Sequence, residues 1–238
     1  MTNALLFSDL IKRYTNAVAA LSGVSFSVQQ GEFFALVGIN GAGKTTLIKC
    51  LLDFCGLDSG KIEICGLSHR NPESRKNLVF LPERFTPPYY LTGHDFLNMM
   101  GRLHGIAFDS ANVDAMLMAL DFNPQTLPRP VRTLSKGMTQ KLGLAGTLLT
   151  AKPVFILDEP MSGLDPKARA LLKARLNELK RNGTTVFFTS HQLADVDELA
   201  DRMAILHDGQ LRFCGTPDEL RASTGTHDLE TAFLQMIS

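Results

Sequence analysis

The stretch VFILDEPMSGLD, Val154 to Asp165, carries an apolar strand into two adjacent carboxylates, Asp158 and Glu159. A carboxylate buried without a partner is costly. The pair is therefore either solvated at the strand end or faced by something positive. A second stretch carries phosphate-binding chemistry. Gly38 to Thr45 reads GINGAGKT, the pattern G-x-x-x-x-G-K-T, placed after the apolar run FFALV and before a helical pattern. Gly38, Gly41 and Gly43 let the backbone turn tightly and bring N–H groups against phosphate oxygens, with Asn40 and Ala42 completing the loop. The helix N-terminus adds positive potential. Lys44 has the reach for β- and γ-phosphates, the Thr45 hydroxyl can ligate Mg²⁺, and Thr46 can donate to a phosphate. The blander reading is a glycine-rich turn with a stray lysine, and the strand and helix on either side argue against it.

The two stretches account for each other. The positive partner of the carboxylates is a magnesium nucleotide. An aspartate at the end of an apolar strand is the second anchor for Mg²⁺ in phosphate-loop NTPases, which assigns Asp158. Glu159 should point another way because strand side chains alternate. It suits a general base that orients the attacking water.

These residues need elements to hold them. LLFSDLIKRY, VSFSVQQ, FFALVG and GKIEICG read as strands, and Leu47, Ile48, Leu51 and Leu52 fall at helical spacing. Leu78 to Leu81 is a strand, and PERFTPPYYLTG is a proline-rich loop. Asp95 to about Asn123 is helical in pattern, and a further helix starts near Ser135. After the strand VFILD, Asp165 caps a helix with Pro166 in its first turn and Gly183 as its stop. TTVFFTS is a strand and QLADVDELAD a helix. MAILHDGQLRF is a hairpin on Asp208-Gly209, and Thr216 caps a last helix. The alternation predicts an α/β fold: a P-loop NTPase core with an N-terminal antiparallel β subdomain and a helical subdomain, about residues 84–150, inserted into a single domain over 1–238.

Hydrophobic residues at 45% and charged residues at 20% allow a sizeable core, which excludes a disordered chain. Lys+Arg and Asp+Glu are 24 each, so no overall field draws the chain onto nucleic acid. Cys50, Cys55, Cys65 and Cys214 form no C-x-x-C pair, which argues against structural zinc and a disulfide framework. No apolar run reaches the length of a membrane span, and the N-terminus lacks a basic region of signal-peptide type.

Over nearly its full length the chain resembles the nucleotide-binding subunit of an ATP-binding cassette (ABC) transporter. LSKGM, Leu134 to Met138, is similar to the LSGGQ signature. SGLD, Ser162 to Asp165, is similar to the D-loop. His191 stands where the family has its switch histidine, and Tyr14 where an aromatic stacks on adenine. The resemblance implies two such subunits, copies or relatives, face to face and head to tail. ATP would lie between the phosphate loop of one and the signature helix of the other, with Ser135 and Gly137 contacting the γ-phosphate in trans. His191 would hold the γ-phosphate, and Asp165 would couple the two sites. The cofactors implied are ATP and Mg²⁺. The metal ligands would be Thr45, Asp158 and Glu83; the catalytic residues would be Glu159, His191 and Lys44.

The sequence departs from the family at two points. Lys136 and Met138 replace glycine and glutamine of the signature; such variants look like those of exporters for drugs, polysaccharides or other envelope substrates. Glu83, in LPER, stands where the family has glutamine. A glutamate still offers oxygen to Mg²⁺ but cannot donate while ionised. The resemblance further implies a transmembrane permease as partner, docking near Phe85 to Leu91. It places the protein at the cytoplasmic face of a bacterial inner membrane as a peripheral subunit. The HRNPESRK run, His69 to Lys76, is expected to be a solvated face. The alternative function is a soluble ABC ATPase acting on a ribosome or DNA; the single phosphate loop and the lack of a heptad array argue against it.

Overall fold

The computed structural model describes residues 2–14 and 19–238. The first third of the chain is mostly strand. It runs through β1 (Asn3–Arg13), β2 (Ala19–Gln29), β3 (Phe33–Val37), α1 (Lys44–Leu51), β4 (Ser59–Ile64), β5 (Leu67–Ser68) and the single turn α2 (Pro72–Arg75). After β6 (Leu78–Leu81) come three helices, α3 (Gly93–His104), α4 (Ser110–Ala119) and α5 (Lys136–Leu148). Strands and helices then alternate: β7 (Val154–Leu157), α6 (Pro166–Arg181), β8 (Thr185–Ser190), α7 (Leu193–Leu199), β9 (Arg202–His207), β10 (Gln210–Gly215), α8 (Pro217–Thr224) and α9 (Leu229–Ile237).

The strands form two sheets. One is antiparallel, in the order β2-β1-β4-β5; the other has six strands, β10-β9-β3-β8-β7-β6, parallel except for the β10–β9 hairpin. The central strands are buried on both faces, so they read as continuous apolar runs. Their alternation sends Phe34, Leu36, Ile156 and Phe187 towards the antiparallel sheet, and Phe33, Ala35, Phe155, Leu157, Val186 and Phe188 towards the helices. Between the sheets Phe26 stacks on Phe7 and Phe34, at centroid distances of 4.5 and 5.2 Å. The apolar stripe of α1, Leu47, Ile48 and Leu51, packs into that same layer. The start of α1 is thereby fixed to the sheet that carries the carboxylates.

The turn chemistry is as the sequence indicates at several joints. Asp208 and Gly209 both take positive φ, 48° and 72°, as a two-residue hairpin turn requires. Asp165 caps α6, and Thr216 with Glu219 forms a capping box on α8. Three features differ from expectation. The helical pattern from Asp95 to Asn123 is two helices, because Gly105 ends α3 at φ 69° and Asp109 caps α4 anew. A further helix, α9, follows α8 behind its own cap, Asp228. The HRNPESRK run is not uniformly solvated: His69 and Ser74 are buried, and the His69 ring nitrogen Nδ1 donates to the Ile62 carbonyl at 3.1 Å.

Candidate nucleotide site

Parallel strands end on one side of the sheet, and that is where the chemistry gathers. A hollow of about 430 Å³ at the ends of β3, β6, β7 and β8 is lined by the phosphate loop from Ile39 to Thr46, by Glu83, Asp158, Glu159 and His191, and by Ala20 from β2. Residues from separate segments expected to do chemistry together thus share one cavity.

The loop is shaped by its glycines. Gly43 takes φ 110°, and a Cβ there would stand 2.5 Å from the Ala20 carbonyl oxygen. Gly38 is hemmed by the Leu206 carbonyl oxygen and the Ala42 side chain. No side chain caps α1, so the N–H groups of its first turn are left for a ligand. The ammonium of Lys44 lies over the loop, donating to the Gly38 carbonyl at 2.5 Å and the Ile39 carbonyl at 3.3 Å. Burial pushes its pKa down, and Glu159, Asp158 and Glu83 pull it back up. The cation and the three carboxylates therefore act on one another across the hollow.

One threonine ties both residues of the DE pair, one by its carboxylate and the other by its backbone. The Thr189 hydroxyl donates to Asp158 Oδ1 at 2.6 Å and accepts from the Glu159 backbone N–H at 2.8 Å. Asp158 is 6% exposed. Burial raises its pKa, the Thr189 bond lowers it, and the charge of Glu83 raises it again. Glu159 leaves the strand at φ 48°, a left-handed conformation that costs energy for a residue with a Cβ. That twist, rather than simple strand alternation, aims its side chain away from Asp158. Its Oε2 reaches His191 Nδ1 at 2.8 Å, and the turn after β8 holds the histidine. An ionised carboxylate only accepts, so Nδ1 carries the hydrogen.

The remaining expected residues lie elsewhere. Ser135 caps α5, accepting from the Met138 N–H at 3.2 Å, and neither Ser135 nor Gly137 lines the hollow. Asp165 caps α6 through the Ala168 N–H at 2.9 Å, a bond that holds its carboxyl below the ordinary range. Tyr14 is also outside the lining. Its ring is 58% exposed, Lys12 sits over it at 5.4 Å, and its hydroxyl is 3.8 Å from Cys55 Sγ. Residues 15–18 beyond it lie outside the described chain. Thr189 and Ala20 carry no motif, and the sequence reading missed both; only the polar residue inside the apolar strand TVFFTS hinted at Thr189.

Comparison with known proteins decides the family. The ABC transporter family model matches residues 21–162. The chain belongs to the ABC transporter family. Curated relatives agree. An ABC transporter ATP-binding protein of Nostoc is 36% identical over 96% of this chain and 71% of its own length. A daunorubicin resistance ATP-binding protein of Streptomyces coeruleorubidus is 37% identical over 90% of this chain and 68% of its own length. The Nod factor export ATP-binding protein I of Ralstonia nicotianae is 33% identical, over 92% and 69%. Among the most similar curated relatives the share of the relative covered runs from 58% to 72%. A solved ATP-binding subunit of an ABC transporter superposes with a TM-score of 0.89 at 30% identity, covering 98% of this chain and 99% of its own. The α/β fold is thus that of an ABC cassette, and the chain is an ATP-binding, ATP-hydrolysing subunit of this family.

Proposed function

We propose that this subunit hydrolyses Mg·ATP to drive export of a substrate through a separate transmembrane permease. The observation that carries the reading is the single hollow shared by the phosphate loop, the strand-end carboxylates and His191. Its geometry supports these roles for the residues that line it. The first-turn N–H groups of α1 and the ammonium of Lys44 bind the phosphates, with Gly38, Asn40, Gly41, Ala42 and Gly43 shaping the loop and Thr46 adding a donor. The Thr45 hydroxyl and the carboxylates of Asp158 and Glu83 form an all-oxygen set beside the phosphate positions, which suits Mg²⁺. The raised pKa of Asp158, caused by burial and reinforced by Glu83, fits a site built to receive a cation. The metal would neutralise charge on the phosphate oxygens.

Glu159 orients and deprotonates the attacking water. His191, fixed through Nδ1, presents its other ring nitrogen for the γ-phosphate; a protonated ring donates from both nitrogens at once. The exposed Tyr14 ring stacks on adenine. Ser135 and Gly137, off the hollow and at a helix start, act on the ATP of a second subunit, as Asp165 does in coupling the two sites. Two solved cassettes of similar fold are described as dimeric, at 20% identity, and a bacterial exporter of similar fold with ATP bound is 21% identical. The names of the Streptomyces and Ralstonia relatives concern drug resistance and export, which supports the outward direction.

No helix among the described residues is long and apolar enough to cross a membrane, and in this reading the permease supplies the path. A groove of about 600 Å³, lined by Phe85, Pro87, Tyr89, Val131 and Leu134, opens beside the hollow, and Glu83 lines both. Tyr89 and Tyr90 are 68% and 70% exposed, whereas Phe85 and Leu91 pack on the core. The permease docks here, through the two tyrosines above all, with the subunit at the inner face of a bacterial membrane. Pull-down of tagged Glu159→Gln protein from detergent-solubilised native membranes with Mg·ATP tests this. A co-purifying polytopic membrane protein is expected, and its loss on Tyr89→Ala/Tyr90→Ala places the contact. Recovery of ribosomes or DNA alone would replace the transport reading with the soluble one.

A further inference from the structure

A second cleft of about 520 Å³ lies at the other end of the same strands. It is lined by Arg75, Lys76, Arg102, His104 and Lys152, with Pro72, Leu103 and Gly105, and no acidic residue. Lys76 precedes β6 and Lys152 precedes β7, whereas Glu83 and Asp158 follow those strands. The cleft and the nucleotide hollow thus lie at opposite ends of these strands. In a chain whose charges balance at 24 each, a concave surface whose charged side chains, Arg75, Lys76, Arg102 and Lys152, are all positive is a local separation of charge.

Part of that charge is already matched. Arg75 donates to the His69 carbonyl and lies 3.7 Å from Asp53, and Lys76 pairs with Glu73 at 2.8 Å. Among the described residues, Arg102, His104 and Lys152 make no ion pair or side-chain hydrogen bond. Burial lowers the pKa of His104 and the charge of Lys152 lowers it further, so the neutral ring is favoured, and the positive charge left without an answering group is that of Arg102 and Lys152. A simpler account gives Arg102 and His104 to the negative end of α3. It covers only part of the cluster. Two of the last four carbonyls of α3 are already taken, Arg102 O by the Gly105 N–H and Gly101 O by the Ile106 N–H at 2.7 Å. Lys152 comes from a different segment, between α5 and β7, so the end of α3 does not account for it.

We infer that this cleft is a binding site for a phosphate-bearing anion, with Arg102, His104 and Lys152 as its free contacts. The membrane source is an anionic phospholipid headgroup. Leu103, 72% exposed on the rim, would then lie against the apolar boundary beneath it. The choice of a membrane rests on the transport reading; the anion chemistry does not. Bound at the membrane, the cleft would help hold the subunit to the surface where its permease sits, and the attraction would fade with salt.

The experiment uses the whole chain and Arg102→Gln/Lys152→Gln, two positions outside the nucleotide hollow. Co-sedimentation is measured with phosphatidylcholine vesicles with and without phosphatidylglycerol, at low and high salt. In parallel, the His104 ring resonance is titrated with inorganic phosphate. A basic residue near an anionic surface is worth about fivefold in partition, so the double variant should lose roughly 30-fold. Salt-sensitive binding to phosphatidylglycerol vesicles, lost in the double variant, establishes the headgroup site. A His104 response to phosphate without vesicle preference keeps the anion site and makes free phosphate its ligand. No His104 response and equal sedimentation of both proteins would overturn the inference. ATP hydrolysis by the double variant should match the parent, so failure here is distinguishable from failure of the ATPase reading.

Discussion

At the scale of single residues, the site depends on Thr189 and on the conflict built into Asp158. Burial raises the pKa of Asp158, with Glu83 adding to the effect. The ionised form is therefore the one disfavoured in the folded chain. Below the ordinary value of 3.8 both states hold the proton, and nothing is lost. As pH rises from there through the raised folded value, the apo protein loses stability and does not regain it at neutral pH. Asp158→Asn removes that cost and can keep the acceptor for Thr189. Calorimetry without nucleotide should show a higher Tm than the parent at neutral pH and a vanishing difference in acid, together with loss of Mg²⁺-dependent hydrolysis. An unchanged or lower Tm at neutral pH would contradict the origin assigned to the shift. The acid pair and the phosphate loop were legible in the sequence because each is a contiguous run whose chemistry is local. Thr189 was not, because its role arises from the parallel pairing of β7 with β8 across 31 residues of chain. The left-handed turn at Glu159 was hidden for a similar reason: nothing in a glutamate announces positive φ.

At the scale of elements, α6 and α7 are joined by an ionic cluster around the buried Asp195, close in the chain to His191. Asp195 is 3% exposed and pairs with Arg169 at 2.7 Å and Lys173 at 2.9 Å. Arg169 also donates to the Gln192 side chain, one residue after His191. Removing the carboxylate leaves Arg169 without its ion pair, while Lys173 keeps Glu198 at 2.5 Å, so Asp195→Ala should destabilise the fold by about 2 kcal/mol, read by denaturant unfolding. It should also loosen the His191–Glu159 contact and slow hydrolysis more than it weakens ATP binding. A neutral change in stability would show the cluster to be solvated. A comparable tie runs between the helical segment and α6: Lys141 of α5 reaches Asp121 at 3.2 Å and Asp165 at 3.8 Å, and Lys167 reaches Asp121 at 2.6 Å. Periodicity located most helices. It ran α3 into α4 because both are apolar on one side, although Gly105 and Asp109 carried the break.

At the scale of the molecule, one six-stranded sheet is buried on one face by a second sheet and on the other by helices, and its strand ends hold the nucleotide hollow. The alternation of strands and helices made the α/β class readable. The division of the strands into two sheets depends on long-range pairing, which composition does not reveal. A ligand that binds only the folded chain stabilises it by mass action, about 2.7 kcal/mol at a hundred times Kd. Mg·ATP should therefore raise the Tm of the parent chain, and Lys44→Ala should abolish most of the rise while leaving the apo Tm near that of the parent. An equal rise in both would remove Lys44 from the phosphate contacts.

The central claim is that Glu159, held between Thr189 and His191, is the base for ATP hydrolysis. The most direct measurement is single-turnover hydrolysis by Glu159→Gln beside its ATP affinity. The amide keeps the size of the side chain but cannot take the proton of the water. Affinity should stay near that of the parent, the rate should fall by a factor on the order of 10² to 10⁴, and a stable ATP-bound dimer should accumulate. Hydrolysis at the parent rate would contradict the claim and move the role of base to another group in the hollow.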